Sequence, residues 1–239
     1  METNRTQEAG NKPAKEKKAY SITVKANKKG KHINAFLNLI RCVVIPPFFF
    51  VKPFRYFGEK KIPEGACVFI CNHYALLDPV YVAALNWESV HFVAKKDLTK
   101  NAIMRFFMKH AKVIPVARDG SDARGLLDCF KCLKNGEKVC IFPEGTRNKT
   151  GEEMLPFHPG AAVMAIKCKA PIVPLVIYKR PKLFRFAHVL LGEPMEFPEY
   201  YGRKLNESEL AEVESILRQR MMEMKKAHEE YLNSKKKKA

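Results

Sequence analysis

The stretch Ala66-Cys67-Val68-Phe69-Ile70-Cys71-Asn72-His73-Tyr74-Ala75-Leu76-Leu77-Asp78-Pro79 decides the fold of this chain. An apolar run of strand length breaks into polar residues, and a helical pattern follows from Pro79. The same punctuation recurs downstream. Strands are predicted at 66–71, 90–94, 113–117, 139–142, 172–178 and 188–191, with helices at 79–86, 99–111, 121–134 and 160–169. Strands alternating with helices predict an α/β domain whose mostly parallel central sheet is flanked by helices. A last helix is expected over 207–232, with Leu210, Val213, Leu217, Met221 and Met224 on one face and Asn206 with Glu209 as a capping box.

Composition narrows the class. The 239 residues are 46% hydrophobic and 28% charged, near the globular average, which disfavours wholesale disorder, collagen-like repeats and polytopic membrane proteins. The net charge of +18 is concentrated at the ends: residues 1–31 hold nine Lys or Arg against three Glu, and residues 225–239 hold six Lys against two Glu. Such a surface favours an anionic partner, acidic lipid or nucleic acid, although the terminal run 235–238 equally suits a solvated tail.

The seven cysteines are odd in number and sit in apolar contexts, as reduced core residues of a cytosolic protein do. Cys129 and Cys132 form a C-x-x-C, but no second Cys or His pair follows to complete a zinc site, so no metal is expected. Residues 1–30 read as a basic, disordered tail with no apolar stretch of signal-peptide length. Over 31–57, Ile33, Phe36, Leu37, Ile40 and Val44 fall at helical spacing, with Asn34, Asn38 and Arg41 opposite, before the break at Pro46-Pro47. The charge-free run 42–51 is too short to span a bilayer and suits an interfacial helical hairpin, or an amphipathic helix packed on the protein's own core. The catalytic α/β domain is expected over 58–232 and a basic tail over 233–239.

Three strand ends carry chemistry, where open α/β sheets bind ligands. Asn72-His73-x4-Asp78 follows the first strand. An imidazole accepts a hydroxyl proton near neutral pH, and a carboxylate one turn on can fix its tautomer. The same pair also fits a core histidine before a helix start. Phe142-Pro143-Glu144-Gly145-Thr146-Arg147 offers backbone donors, a hydroxyl and a guanidinium suited to a phosphate, or a simple polar turn. Val113-Ile114-Pro115-Val116-Ala117-Arg118 places a second guanidinium at a strand end, where Arg118 and Arg147 could clamp one anion; alone, either is an ordinary surface arginine.

These segments, in this order, resemble the glycerolipid acyltransferases, the PlsC-like family of 1-acyl-glycerol-3-phosphate acyltransferases, over roughly residues 33–195. Asn72-His73-x4-Asp78 matches the family's catalytic block, Arg118 its second-block arginine, 142–147 its F-P-E-G-T-R block, and Val173-Pro174 its fourth, apolar block. Lys112 stands where the family often has glycine. The resemblance implies the glycerolipid acyltransferase fold with an N-terminal amphipathic two-helix membrane-docking element. It implies that His73 deprotonates the acceptor hydroxyl of lysophosphatidic acid, that Asp78 orients His73, and that the resulting alkoxide attacks an acyl-CoA or acyl-ACP thioester. Asn72, Arg118, Glu144, Gly145, Thr146 and Arg147 would bind the substrate, with no cofactor and no metal. No G-x-S-x-G elbow is present, and Cys71 is expected to point into the strand packing rather than act as a nucleophile. The implied place is the cytoplasmic side of the cell membrane, peripheral or monotopic, on an anionic bilayer. Rival readings are the same fold acting on glycerol 3-phosphate or another lysophospholipid, and a non-enzymatic basic module; nucleic acid is not expected as a partner, because charge alone gives no reason for His73, Asp78, Glu144 and Arg118 to occur in this order.

Overall fold

A computed structural model describes residues 35–58, 61–85, 88–117 and 123–237, the side chains of Leu37 and Ile40 excepted. At its centre β2 (Cys67–Cys71) lies between β5 (Lys138–Ile141) and β6 (Ile172–Ile177), parallel to both. Beyond β5 come β3 (Val90–Lys95) and then β4 (Ile114–Val116), also parallel. Beyond β6 lies β7 (Ala187–Leu191), the antiparallel member, and then β1 (Phe54–Phe57), giving the order β1-β7-β6-β2-β5-β3-β4. The α/β class with a mostly parallel central sheet thus holds.

Helices cover both faces: α1 (Ala35–Val51), α2 (Asp78–Leu85), α3 (Ala102–His110), α4 (Arg124–Lys134), α5 (Gly160–Cys168) and α6 (Glu207–Lys237). The two-residue period of a strand sorts β2 between them. Val68 and Ile70 enter the core shared with α4, α5 and α6, while Cys67, Phe69 and Cys71 enter the one built with Phe48 of α1, Tyr81 of α2 and Met108 of α3. All five are fully buried, which is why the strand reads as a continuous apolar run rather than an alternation.

Helices α3, α4 and α5 end alike. A left-handed residue, Lys112 (φ 55°), Gly136 (φ 79°) or Lys169 (φ 51°), lets the following amide reach back five residues: Val113 N–H to Met108 O, Glu137 N–H to Cys132 O, Ala170 N–H to Ala165 O. These are Schellman turns. Lys112, the departure from the family's glycine, therefore adopts the backbone that glycine favours, at a cost of order 1 kcal/mol.

Several sequence expectations change. Among the described residues of 31–57 there is one helix, not two. One helix passes through Pro46 and Pro47 to Val51, and the chain then enters the sheet as β1, a strand too short and too mixed in pattern to read beforehand. The missing donors of the two prolines are tolerated because Phe48 is held by Phe54 and Tyr81, at ring separations of 6.3 and 5.3 Å. Arg41, placed on the polar face, is buried instead: Nε donates to Ala83 O and Nη2 to Glu88 O, capping the C-terminal end of α2 and the chain just beyond it. The apolar residues Leu39, Val43, Phe49 and Phe50 are exposed, and Val44 and Val51 also reach the surface. Ile33 and Asn34 lie outside the described residues, as does the tail 1–30. The helix expected over 99–111 is broken at Asn101, whose extended backbone ends a 3-10 turn, Lys96–Lys100, and whose side chain caps α3 by accepting Met104 N–H. The Asn206–Glu209 capping box forms in both directions, at 2.8 and 2.9 Å. Helix α6 continues to Lys237, so most of the expected tail 233–239 is helical.

Helix α6 docks on β7 partly through His228, whose Nε2 lies 2.8 Å from His188 Nδ1 among the rings of Phe57 and Tyr178. One shared proton satisfies the pair; two charges would repel. Burial, with Arg55 beside His188 and His188 beside His228, pushes both imidazoles below the usual histidine range. The unfolded chain then binds more protons in mild acid, so their contribution to stability is full above the free histidine pKa of about 6.5 and is lost as pH falls through it. The melting temperature should drop between about pH 7.5 and pH 5.5, and His228→Gln should flatten that drop. Parallel melting curves for the two proteins would refute the assignment.

Candidate active site

The loops after β2, β5 and β6 leave the same edge of three adjacent strands, so neighbouring parallel register alone brings 72–78, 142–148 and 178–180 together. His73 begins beyond the last residues of β2, 18% exposed, with its ring 4.3 Å from that of Phe142. Its Nδ1 lies 2.9 Å from Asp78 Oδ2. Asp78 is the first residue of α2, and its Oδ2 also accepts the amides of Tyr74 (2.6 Å) and Ala75 (2.7 Å). Helix start and histidine partner are therefore one feature. An acceptor-only carboxylate requires the proton on Nδ1, which leaves a lone pair on Nε2.

The backbone of His73 is gripped by the β5 loop. Its N–H donates to Glu144 Oε1 at 2.8 Å, and its carbonyl accepts Asn148 N–H at 2.7 Å. Glu144 Oε2 accepts Leu155 N–H at 3.0 Å. Burial pushes the Glu144 carboxyl above the usual carboxylate range, against the downward pull of those two amides. Gly145 has φ 62° and passes so close to His158 that a Cβ there would stand 2.7 Å from its ring, so the turn needs glycine on both counts.

Two residues expected to contact substrate, Asn72 and Glu144, are engaged by the backbone. The Asn72 amide is buried and spent on β6, donating to Ile177 O (3.0 Å) and accepting Ile177 N–H (2.8 Å). Both oxygens of Glu144 are likewise taken by backbone amides and lie out of solvent. Each residue ties loop to strand or loop to loop. Thr146 and Arg147 are exposed beside them. Arg118 lies outside the described residues; β4, the strand before it, is three strands from β2, roughly 14 Å at ordinary strand spacing. Cys71 is fully buried with its thiol pushed far up by burial, which disqualifies it as a nucleophile.

Two further residues belong to the site. Arg180 Nη1 donates to Tyr74 O (3.2 Å) and Nη2 to Asn148 O (2.5 Å), bridging the β2 and β5 loops. It follows a strand end just as Arg118 does, and the same rule finds it. Lys225, buried on α6, donates to Glu153 O (3.0 Å) and lies 3.4 Å from the Tyr74 hydroxyl. Its signal is position: it continues the four-residue ladder Val213, Leu217, Met221, where a core residue belongs.

Glu144→Gln places an amide N–H against one of two backbone donors. The expected loss is about 1–3 kcal/mol of stability, with turnover reduced and acceptor KM little changed. A raised KM with intact stability would return Glu144 to the substrate.

Comparison with known proteins agrees with this architecture. The family model described as "Acyltransferase" matches residues 53–178. A protein of Bacillus subtilis named 1-acyl-sn-glycerol-3-phosphate acyltransferase is 30% identical over 179 residues, covering 71% of this chain and 87% of its own. A Helicobacter pylori protein of the same name is 27% identical over 191 residues, covering 67% and 79%. The crystal structure titled as the 1-acyl-sn-glycerophosphate (LPA) acyltransferase, PlsC, from Thermotoga maritima matches with a TM-score of 0.60 over 79% of each chain, at 24% identity, and shows the same fold. With a histidine–aspartate pair at the carboxyl edge of a shared fold and a family model spanning more than half its length, the chain belongs to the acyltransferase family.

Proposed function

We propose that the chain transfers a fatty acyl group from an acyl-CoA or acyl-ACP thioester to the free hydroxyl of 1-acyl-glycerol 3-phosphate, forming phosphatidic acid. The observation that carries this reading is the Asp78–His73 pair, which leaves Nε2 as the base. Nε2 takes the hydroxyl proton as the oxygen attacks the thioester carbonyl carbon. The C–S bond then breaks, and the departing thiolate takes that proton back from the imidazolium, so no acyl-enzyme forms. The names of the relatives support the acceptor. Thr146, Arg147 and Arg118 are the groups assigned to its phosphate. A cavity of about 250 Å³ lined by Lys179, Arg180, Lys182 and Arg185 adds positive charge for a phosphate-bearing substrate.

The bilayer is the second element of the proposal. No helix among the described residues is long and apolar enough to cross a membrane. Helix α1 nevertheless exposes Leu39, Val43, Phe49 and Phe50, the last at 79%. The loop carrying Leu183, Phe184 and Phe186 joins this surface through Phe184 N–H to Val51 O, 2.8 Å. Apolar rings rimmed by Lys182 and Arg185 suit the cytoplasmic face of an anionic bilayer.

Thiol release from palmitoyl-CoA and palmitoyl-ACP, with lysophosphatidic acid or glycerol 3-phosphate as acceptor, tests the chemistry. Release should require lysophosphatidic acid, fall about 10²–10⁴-fold in His73→Ala, and fall with little change in acceptor KM in Asp78→Asn. Near-normal turnover of His73→Ala would remove the base; release with glycerol 3-phosphate alone would change the acceptor. Phe50→Glu should weaken co-sedimentation with phosphatidylglycerol vesicles, and undiminished binding would exclude α1 from the docking face.

A further inference from the structure

At the other end of the strands from His73, the three Schellman turns differ in one respect. The residues whose backbones are joined across each turn are an apolar pair in two of them, Met108 with Val113 and Ala165 with Ala170. This is the apolar contact such turns usually carry. In the turn after α4 the pair is Cys132 with Glu137. Both are buried, and a third buried group, His91 on β3, completes the cluster: the imidazole nitrogen, the thiol sulfur and a carboxylate oxygen all lie within 4.8 Å of one another. His91 Nε2 stands 3.3 Å from Glu137 Oε2.

We propose that His91, Cys132 and Glu137 form a zinc site. The imidazole is prepared for it. His91 Nδ1 lies 3.1 Å from the carbonyl of Lys112, which can only accept, so the proton sits on Nδ1. This backbone contact fixes ring and tautomer as the outer partner of a metal-bound histidine does. Nε2, on a residue only 1% exposed, points at the carboxylate and thiol with no hydrogen-bond partner among the described residues. Tetrahedral zinc, with bonds near 2.0–2.3 Å, holds its ligand atoms about 3.3–3.6 Å apart, so the His91–Glu137 edge is already in place and the sulfur needs a small rotation. Charge agrees too. On binding, the Cys132 thiol releases its proton to water, and one thiolate, one carboxylate and a neutral imidazole make a divalent ion neutral overall, as a buried site requires. A nitrogen, oxygen and sulfur set is borderline in softness and suits zinc rather than calcium or magnesium. Cys129, the other half of the C-x-x-C, is no part of the group.

The full-length protein, stripped with chelator, is titrated with Zn²⁺ against a chromophoric competitor and separately with Co²⁺. Wild type should bind one equivalent of zinc, show a near-ultraviolet thiolate-to-cobalt band and melt higher with zinc than without. Cys129→Ser should keep the band and the equivalent. Cys132→Ser and His91→Gln, checked for folding by circular dichroism, should lose both. Absence of a bound equivalent and of the band in wild type would overturn the site, as would binding that survives both Cys132→Ser and His91→Gln or is lost in Cys129→Ser. If Cys132→Ser fails to fold, wild type and His91→Gln decide the matter.

Discussion

One buried carboxylate organises the catalytic edge. Glu144 has two oxygens and gives each to a backbone amide, one from the β2 loop at His73 and one from Leu155 further along its own loop. Without it, two amides would be left unsatisfied away from water, each at a cost of about 1–3 kcal/mol. The Asn148 amide answers from the other side by bonding the His73 carbonyl, so the histidine is held by its backbone before its side chain does anything. Asp78 then fixes the ring. In the proposed reaction, a base fixed at both main chain and imidazole would lose little entropy when substrate arrives, the form of preorganisation expected where positioning contributes most of the rate.

The fold was legible where burial was symmetrical. Strands β2 and β6 are apolar on both faces because helices cover both faces, and such runs stand out in the sequence. Strand β1 did not stand out, because Phe-Arg-Tyr-Phe at the sheet edge carries a mixed pattern and derives its strand character from pairing with β7. The Pro46-Pro47 pair argued for a break, and local propensity was overridden by Phe48 packing against Tyr81. Asn101 broke a helix that apolar periodicity alone had made continuous, through a cap that spacing rules do not weigh.

The site was legible as a place more than as a set of roles. The motif residues after β2 and β5 lie together because those strands are parallel neighbours, while Arg118 lies outside the described residues. Yet polar side chains within a motif serve two masters, ligand and loop. A sequence does not distinguish Asn72 and Glu144, which bond backbone, from Thr146 and Arg147, which reach solvent; that difference is set by which way each loop turns. Arg180 and Lys225 lay outside any motif and are long-range partners, contributed by the loop after β6 and by α6.

Helix α1 is tied down at two points, near its middle by Arg41 to the end of α2 and at its C-terminal end by β1 to the sheet. Its exposed rings therefore keep a set height relative to His73. In the membrane contact proposed above, such a frame would work as a depth gauge, holding the proposed base at one fixed level above the lipid plane. On that reading a hydroxyl would be selected by how far its anchored chain lets it rise as much as by the groups that surround it. Stiffness in this helix would then help determine which lipids are substrates, without a single contact to them.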